Sequence, residues 1–292
     1  MSARSDASVF ELARPRLLGL AYRILGSRAD AEDAVQDAFI KWQGVDRNAI
    51  DNPDGWLTTV CTRRCIDMLE AAHRTRVDYV GTWLPEPVLT VSADDDALEL
   101  SSSLSTAFLL MLERLTPKER AAYLLHDILD MEYKDVAKTL DMEEAACRKL
   151  ISRARQNIER DKVRHVTPVA QQEKLLAAFQ DAVTGGDMQR FTALLSDDIE
   201  LSSDSGGKVA AVPYTLHGKA EILAFLENAQ RWWYNYRWIE MDLNGGRGVV
   251  LIGEGEPSAA MSFAYDEEGR ATNIYIMRNP DKLARLNTPA IS

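Results

Sequence analysis

MEYKDVAKTLDMEEAACRKLISRAR, residues 131–155, reads as a short helix, a tight turn at Leu140 to Met142 and a longer second helix. The second helix is amphipathic through Ala146, Leu150, Ile151 and Ala154, and the pair carries the helix-turn-helix signature. From Ala145 to Arg155 the charged residues are Arg148, Lys149, Arg153 and Arg155, all basic, in a chain of formal net charge −11. The second helix of such a motif enters the DNA major groove with its N-terminal residues on base edges. Arg148, Lys149, Ser152, Arg153 and Arg155 are therefore candidate DNA contacts, divided between bases and phosphates. A solvated surface helix would carry the same residues, but the preceding helix and turn favour DNA.

Composition bounds the rest. With 292 residues and 46% hydrophobic content, the chain has room for two or three globular domains. It contains no run of 18 apolar residues, and its N-terminus lacks an apolar stretch ahead of a small-residue cleavage site. A cytoplasmic location is expected. Three cysteines make no disulfide framework and no Cys-x-x-Cys pair. Cys61 and Cys65 share a helix face and alternate with apolar residues, so they and Cys147 are expected to be buried thiols, with no metal and no cofactor. The acidic balance argues against wholesale coating of nucleic acid, although net charge does not speak to a local site.

Four segments separate by pattern. Residues 1–76 contain three helical stretches. The first runs through Phe10, Leu12, Leu17, Leu18, Tyr22 and Leu25 to a Gly26-Ser27 stop. The second has Ser27 as N-cap and places Asp30, Glu32 and Asp33 where the helix dipole favours carboxylates. The third follows the turn signal Asn52-Pro53-Asp54. Residues 77–100 hold two prolines, six carboxylates and no Lys or Arg, the composition of a linker. Trp83 and Leu84, in TWLPEP, are unfavourable in water, so this part of the linker is expected to dock. Residues 101–165 are helical again, with Thr116 as cap and Pro117 at the first helical position. From 166 to 292 two helices (KLLAAFQDAV and DMQRFTALL) precede the strand candidates DIELSSD, GKVAAV, RWWYNYRWIEMDL, GRGVVLIGE, SAAMSFAYD and ATNIYIMRN, with GKAEILAFLENA as an intervening helix. Helices followed by a mostly antiparallel sheet indicate an α+β domain.

A resemblance now joins these parts. RADAEDAVQDAFIKW (28–42) followed by NPDGWLTTVCTRRCIDML (52–69) resembles region 2 of extracytoplasmic-function sigma factors of RNA polymerase, and LTPKERAAYLLHDILDMEYKDVAKTLDMEEAACRKLISRAR (115–155) resembles their region 4. The resemblance implies that Asp33, Gln36 and Asp37 face the clamp helices of core RNA polymerase. It implies that Asn52, Trp56, Thr59, Arg63 and Arg64 lie where the family reads the minus-ten element, where an extruded base needs polar contacts and a stacking surface. From its spacing alone, Trp56 is better placed in a core. The basic helix then meets the minus-35 element, and the acidic linker threads toward the polymerase active site and RNA path.

The remaining residues, 166–292, resemble the SnoaL-like or ketosteroid-isomerase-like fold, a curved sheet wrapped by helices around a conical pocket, in the subgroup of sigma factors with such a fused domain. The resemblance rests on FQDAVTGGDMQRFTALLSDDIELSSDSGGKV and on Asn279-Pro280-Asp281-Lys282-Leu283. The subgroup's Asp-Gly-Gly-Gly-Lys motif here reads Asp204-Ser205-Gly206-Gly207-Lys208, and any φ > 0 needed at Ser205 is in question. The expected regulation is intramolecular: this domain packs on region 2 and the TWLPEP linker through Asp204 to Lys208 and Asn279 to Leu283, touching Trp83 and Leu84, in place of a separate anti-sigma protein. Alternatives are a SnoaL-type cyclase or isomerase with Asp204, Tyr214, His217 or Trp233 in its pocket, a sensor of an unknown small ligand, and a response-regulator-type activator. No paired acid and base at a persuasive spacing is visible, and no catalytic residue is assigned. The cluster RWWYNYRW at 231–238 suits a sheet core better than an interface.

Overall fold

The computed structural model describes residues 3–75, 79–90, 103–159, 167–185 and 187–286. The chain divides into two compact units, residues 1–77 with 111–161, and residues 78–110 with 162–292.

The first unit is all helical. Helices α1 (Ala3–Leu25), α2 (Arg28–Gly44) and α3 (Pro53–Thr75) pack on one another. Gly26, at φ 69°, closes α1 in the left-handed region that glycine enters without strain, and Ser27 then caps α2 by accepting from the Asp30 N–H at 3.2 Å. The buried stripe of α1 runs through Phe10, Ala13, Leu17, Leu20 and Ile24 at alternating steps of three and four. Leu12, expected on that stripe, is 83% exposed because it falls one residue off the repeat.

Helices α4 (Thr106–Leu112) and α5 (Pro117–Tyr123) follow, with α4 crossing from the second unit into the first. Thr116 and Glu119 form a capping box at the start of α5, each satisfying the other's backbone N–H. A π-helical turn, Leu124–Ile128, continues α5, and then α6 (Tyr133–Leu140) and α7 (Glu144–Glu159) form the helix-turn-helix. The turn closes on Asp141 at φ 54°. Leu150, Ile151 and Ala154 of α7 are buried as expected, but Ala146 is exposed and Cys147 takes the inward position of that turn.

The second unit is α+β. Helices α8 (Val169–Val183), α9 (Met188–Thr192) and α10 (Gly218–Trp233) accompany a six-stranded sheet of order β2-β1-β6-β5-β4-β3. The strands are β1 (Leu195–Asp204), β2 (Leu216–His217), β3 (Arg237–Leu243), β4 (Gly246–Gly253), β5 (Glu256–Tyr265) and β6 (Ala271–Met277). All pairings are antiparallel except β1 with β6. GKVAAV forms no strand, whereas Leu216–His217, unassigned from sequence, pairs with β1. RWWYNYRW splits: Arg231 to Trp233 end α10, and the strand begins at Arg237. Trp233 and Trp238 both join the cluster under the helices, with Phe179, Phe191 and Phe263, while Trp232 and Tyr234 stay exposed. On the opposite face of the sheet a second cluster forms around Val250, Ala260, Tyr275 and Met277. It is closed by Leu84 and Leu89 of the linker, Ala107 and Leu110 of α4, and Leu283 of α11 (Pro280–Leu283).

Candidate nucleic-acid interface and linker latch

Helix α7 presents Lys149, Ser152 and Arg153 on its exposed side, opposite the Cys147, Leu150, Ile151 and Ala154 stripe that packs inward. Arg148 is exposed too, but its guanidinium is engaged. Nε and Nη2 both donate to Glu144 Oε1, at 3.1 and 2.6 Å, and Cζ lies 4.2 Å from the centre of the Tyr133 ring. Arg155 is turned toward the π-helical turn, where Nε donates to Asp127 Oδ1 at 2.9 Å. That carboxylate, ahead of a smaller opposing effect of burial, holds the Arg155 guanidinium above its ordinary pKa. The five basic-helix candidates thus share one helix but separate into an outward set and two buttressed arginines.

The candidates on α2 and α3 divide in a similar way. Asp33 and Gln36 are exposed on α2, whereas Asp37 accepts a hydrogen bond from Arg64 Nε at 2.6 Å. Asn52 caps α3, its Oδ1 accepting from the Gly55 N–H at 3.0 Å. Trp56 is half-buried against Trp42, with ring centres 5.6 Å apart. Thr59 and Arg63 meet the helix-turn-helix. The Thr59 and Thr139 hydroxyls lie 3.1 Å apart, and Arg63 donates from Nε to the Thr139 carbonyl at 2.7 Å and from Nη2 to that of Lys138 at 2.9 Å. A cation on the last carbonyls of α6 is favoured by the helix dipole. A second arginine works alike: buried Arg120 donates from Nη1 to the Ile24 carbonyl at the end of α1, at 2.7 Å, and from Nε to that of Leu112, at 2.9 Å.

In the second unit the regulatory candidates converge on Asp204, which closes β1 with no exposed surface. Its Oδ1 accepts from the Tyr79 hydroxyl at 2.5 Å and from the Gly206 N–H at 3.0 Å. Its Oδ2 accepts from the Leu84 N–H at 2.8 Å and from Lys282 Nζ at 2.7 Å. Lys282 also donates to the Leu84 carbonyl at 2.6 Å and stands 4.5 Å from the Trp83 ring centre, so its ammonium is enclosed by a carboxylate, a carbonyl and aromatic faces. Asn279 caps α11 through Oδ1 while its Nδ2 donates to the Tyr79 hydroxyl at 3.0 Å, and Pro280 occupies the first helical position. Lys208 pairs with Asp281 at the surface. Burial, and after it the Asp204 carboxylate, push the Tyr79 phenol well above its ordinary pKa.

The turn after Asp204 answers the question raised by Ser205. Positive φ falls on Gly206 and Gly207, at 58° and 71°, and not on Ser205, whose hydroxyl accepts from the Gly207 N–H at 3.3 Å. A Cβ on Gly206 would run into the Asn279 amide, and one on Gly207 would come within 3.1 Å of Val80 Cβ. The linker is then tied along the β3 edge. Val88 donates to Asn244 Oδ1 at 3.2 Å, Asn244 donates to the Val88 carbonyl at 2.9 Å, and Thr90 donates to the Asp242 carbonyl at 2.9 Å. The ADDDALEL run of the linker, expected near the RNA path, lies outside the described residues.

The residues considered for an enzyme's pocket occupy separate places. Asp204 belongs to the latch, Tyr214 is exposed, His217 faces Glu200 at 3.2 Å near the surface, and Trp233 is in the core. The three cysteines are free and buried, and no group of His, Cys, Asp and Glu among the described residues is arranged to hold a metal. No helix among them is long and apolar enough to cross a membrane. Sequence reading missed Tyr79 and Asn244 at the latch, and Tyr133 and Glu144 beside Arg148. Tyr79 carried a signal, as another aromatic residue in an acidic linker; Asn244 carried none beyond Asn-Gly at a hairpin.

The family description "Sigma-70 region 2" matches residues 9–75, and "Sigma-70, region 4" matches residues 105–158. The ECF RNA polymerase sigma factor SigJ of Mycobacterium tuberculosis is 36% identical over 225 residues, 76% of this chain and 72% of its own. A probable ECF RNA polymerase sigma factor of the same organism, SigI, is 28% identical over 273 residues, 92% of each chain. The crystal structure of M. tuberculosis SigJ superposes with a TM-score of 0.74 at 30% identity, covering 95% of this chain and 98% of that one. With both sigma regions in order and a fused α+β domain behind them, the chain belongs to the extracytoplasmic-function sigma factors of RNA polymerase.

Proposed function

We propose that this sigma factor reads the minus-35 element with the exposed face of α7, through Arg148, Lys149, Ser152 and Arg153, and the minus-ten element with the α3 face around Asn52, Trp56, Thr59 and Arg63. Asp33 and Gln36 are assigned to core polymerase. Asp37 and Arg64 hold each other, and Arg155 is held by Asp127, so these three orient their neighbours before they meet a partner. The chain is assigned no catalytic step of its own.

Regulation is proposed to act in cis through the linker. The observation that carries this reading is the Asp204–Lys282 pair, which closes over Leu84 and fastens residues 79–90 to the C-terminal domain. Within the first unit, Thr59 and Arg63 are already bonded to α6, so reading the minus-ten element requires regions 2 and 4 to part. The C-terminal domain holds the chain that connects those regions, and so governs how readily they part. Deleting residues 168–292 is expected to change both promoter activity with core polymerase and the rate at which a protease cuts the linker. Unchanged values of both would contradict cis regulation.

A further inference from the structure

We propose that Tyr133 and Glu144 are positioning residues for promoter recognition, which fix Arg148 as the arginine that reads a base in the minus-35 element. This rests on the assignment of α7 to DNA.

Guanine O6 and N7 take two parallel N–H donors from one edge of a planar guanidinium. A free arginine samples many rotamers and must lose them on binding, whereas one held in place loses few. Arg148 is held on two sides. Glu144 occupies its Nε–Nη2 edge, and the Tyr133 ring lies 4.2 Å from Cζ. Nη1 carries no hydrogen bond among the described residues, so the outer edge remains to donate.

The support is itself supported. Tyr133 is packed against His126, with ring centres 4.0 Å apart and planes tilted by 36°. His126 is pinned by a 2.7 Å bond between Nδ1 and the Met131 carbonyl, and since a carbonyl only accepts, Nδ1 carries the hydrogen. The π-helical turn, with the Leu129 N–H reaching back to the Leu124 carbonyl at 3.1 Å, inserts the extra residue that brings both His126 and Asp127 onto this side.

The hollow between these groups, about 450 Å³, is not a phosphate seat. Its basic groups are already matched: Arg155 by Asp127, Lys134 by Glu132 and Arg148 by Glu144. A carboxylate near DNA repels it, and an exposed ion pair one helical turn apart adds little stability. Glu144 therefore weakens DNA attraction in general, and its value lies in aim.

The test is selection of a randomised minus-35 element by holoenzyme reconstituted from core polymerase and the full-length chain, read by sequencing. Arg148→Ala is expected to flatten the preference at one base pair, a loss of roughly 5- to 100-fold. Glu144→Gln and Tyr133→Leu should each weaken the preference at that same base pair, about threefold or more, and leave the other positions unchanged, while Tyr133→Phe, which keeps the ring face, retains it. If Arg148→Ala flattens a position and Glu144→Gln leaves the profile intact, or only tightens binding to all sequences alike, positioning is overturned and the DNA assignment stands. If Arg148→Ala changes nothing, base reading by Arg148 falls, and the positioning role falls with it. Thermal unfolding of each variant separates these outcomes from loss of fold.

Discussion

Asp204→Ala tests the latch where its energy is concentrated. Asp204 has no exposed surface, and the Lys282 side chain is 14% exposed. Removing the carboxylate takes the ion-pair partner from a largely buried ammonium and leaves the Leu84 N–H without its acceptor. Breaking a buried ion pair by deleting one partner costs about 3–5 kcal/mol. At about 1.4 kcal/mol per tenfold, linker docking should weaken by roughly 100- to 3,000-fold. Hydrogen exchange at the Leu84 amide reads this directly, and exchange there should accelerate by that factor while amides within β4 and β5 keep their protection. Lys282→Met provides an internal control. It leaves Asp204 with the Tyr79, Leu84 and Gly206 donors, so its effect should be smaller, about 1–3 kcal/mol. Leu84 exchange that is no faster in Asp204→Ala, or a larger effect from Lys282→Met, would show that the Asp204 carboxylate does not hold the linker.

Further outcomes follow from the same contacts. Arg120→Met removes the buried donor that closes α1 and α4, together with its 2.8 Å contact to Glu113, so thermal unfolding should show a loss of about 2–4 kcal/mol. A change under about 0.5 kcal/mol would place the first unit's stability elsewhere. The Thr106 and Ser262 hydroxyls are 2.9 Å apart, so Thr106→Cys with Ser262→Cys should form a disulfide that fastens α4 to the sheet. Oxidation should then lower transcription and reduction restore it, whereas equal output in both states would show that α4 need not leave the sheet. The Tyr79 pKa is raised on docking, so docking favours the protonated phenol. Its contribution is complete below the ordinary tyrosine pKa of about 10 and is lost as pH rises beyond it. Linker proteolysis should be flat from about pH 7 to 9 and rise above about 10, and Tyr79→Phe should remove that rise.

The helix-turn-helix was legible because two signals coincide in a short span: the repeat of Leu150, Ile151 and Ala154, and the turn at Asp141. The π-helical turn was not, since its extra residue between Leu124 and Ile128 leaves the apolar pattern of α5 intact. In the second unit, the alternating aromatics of RWWYNYRW mimic a strand, yet Trp232 and Trp233 are helical because the chain enters β3 only after Tyr236. The latch was legible as two motifs and a docked TWLPEP, since each is odd in composition. Its geometry was not: the bond from Leu84 to Asp204 uses a backbone N–H, and the pairing of Val88 and Thr90 with the β3 edge is mostly backbone too. The division of basic residues between an exposed set and a protein-bonded set was hidden for another reason. Arg63, Arg64 and Arg155 read alike as cations, and only their neighbours in space separate a helix cap and two ion pairs from exposed Arg153.

The decisive assay for promoter-directed initiation is run-off transcription with core RNA polymerase and the full-length chain. Transcripts from defined start sites are predicted to appear when the chain is added, and to fall sharply with Arg148→Ala combined with Arg153→Ala while the chain still co-purifies with core polymerase. Failure of the chain to bind core polymerase, or initiation that is the same with and without it, would contradict the account.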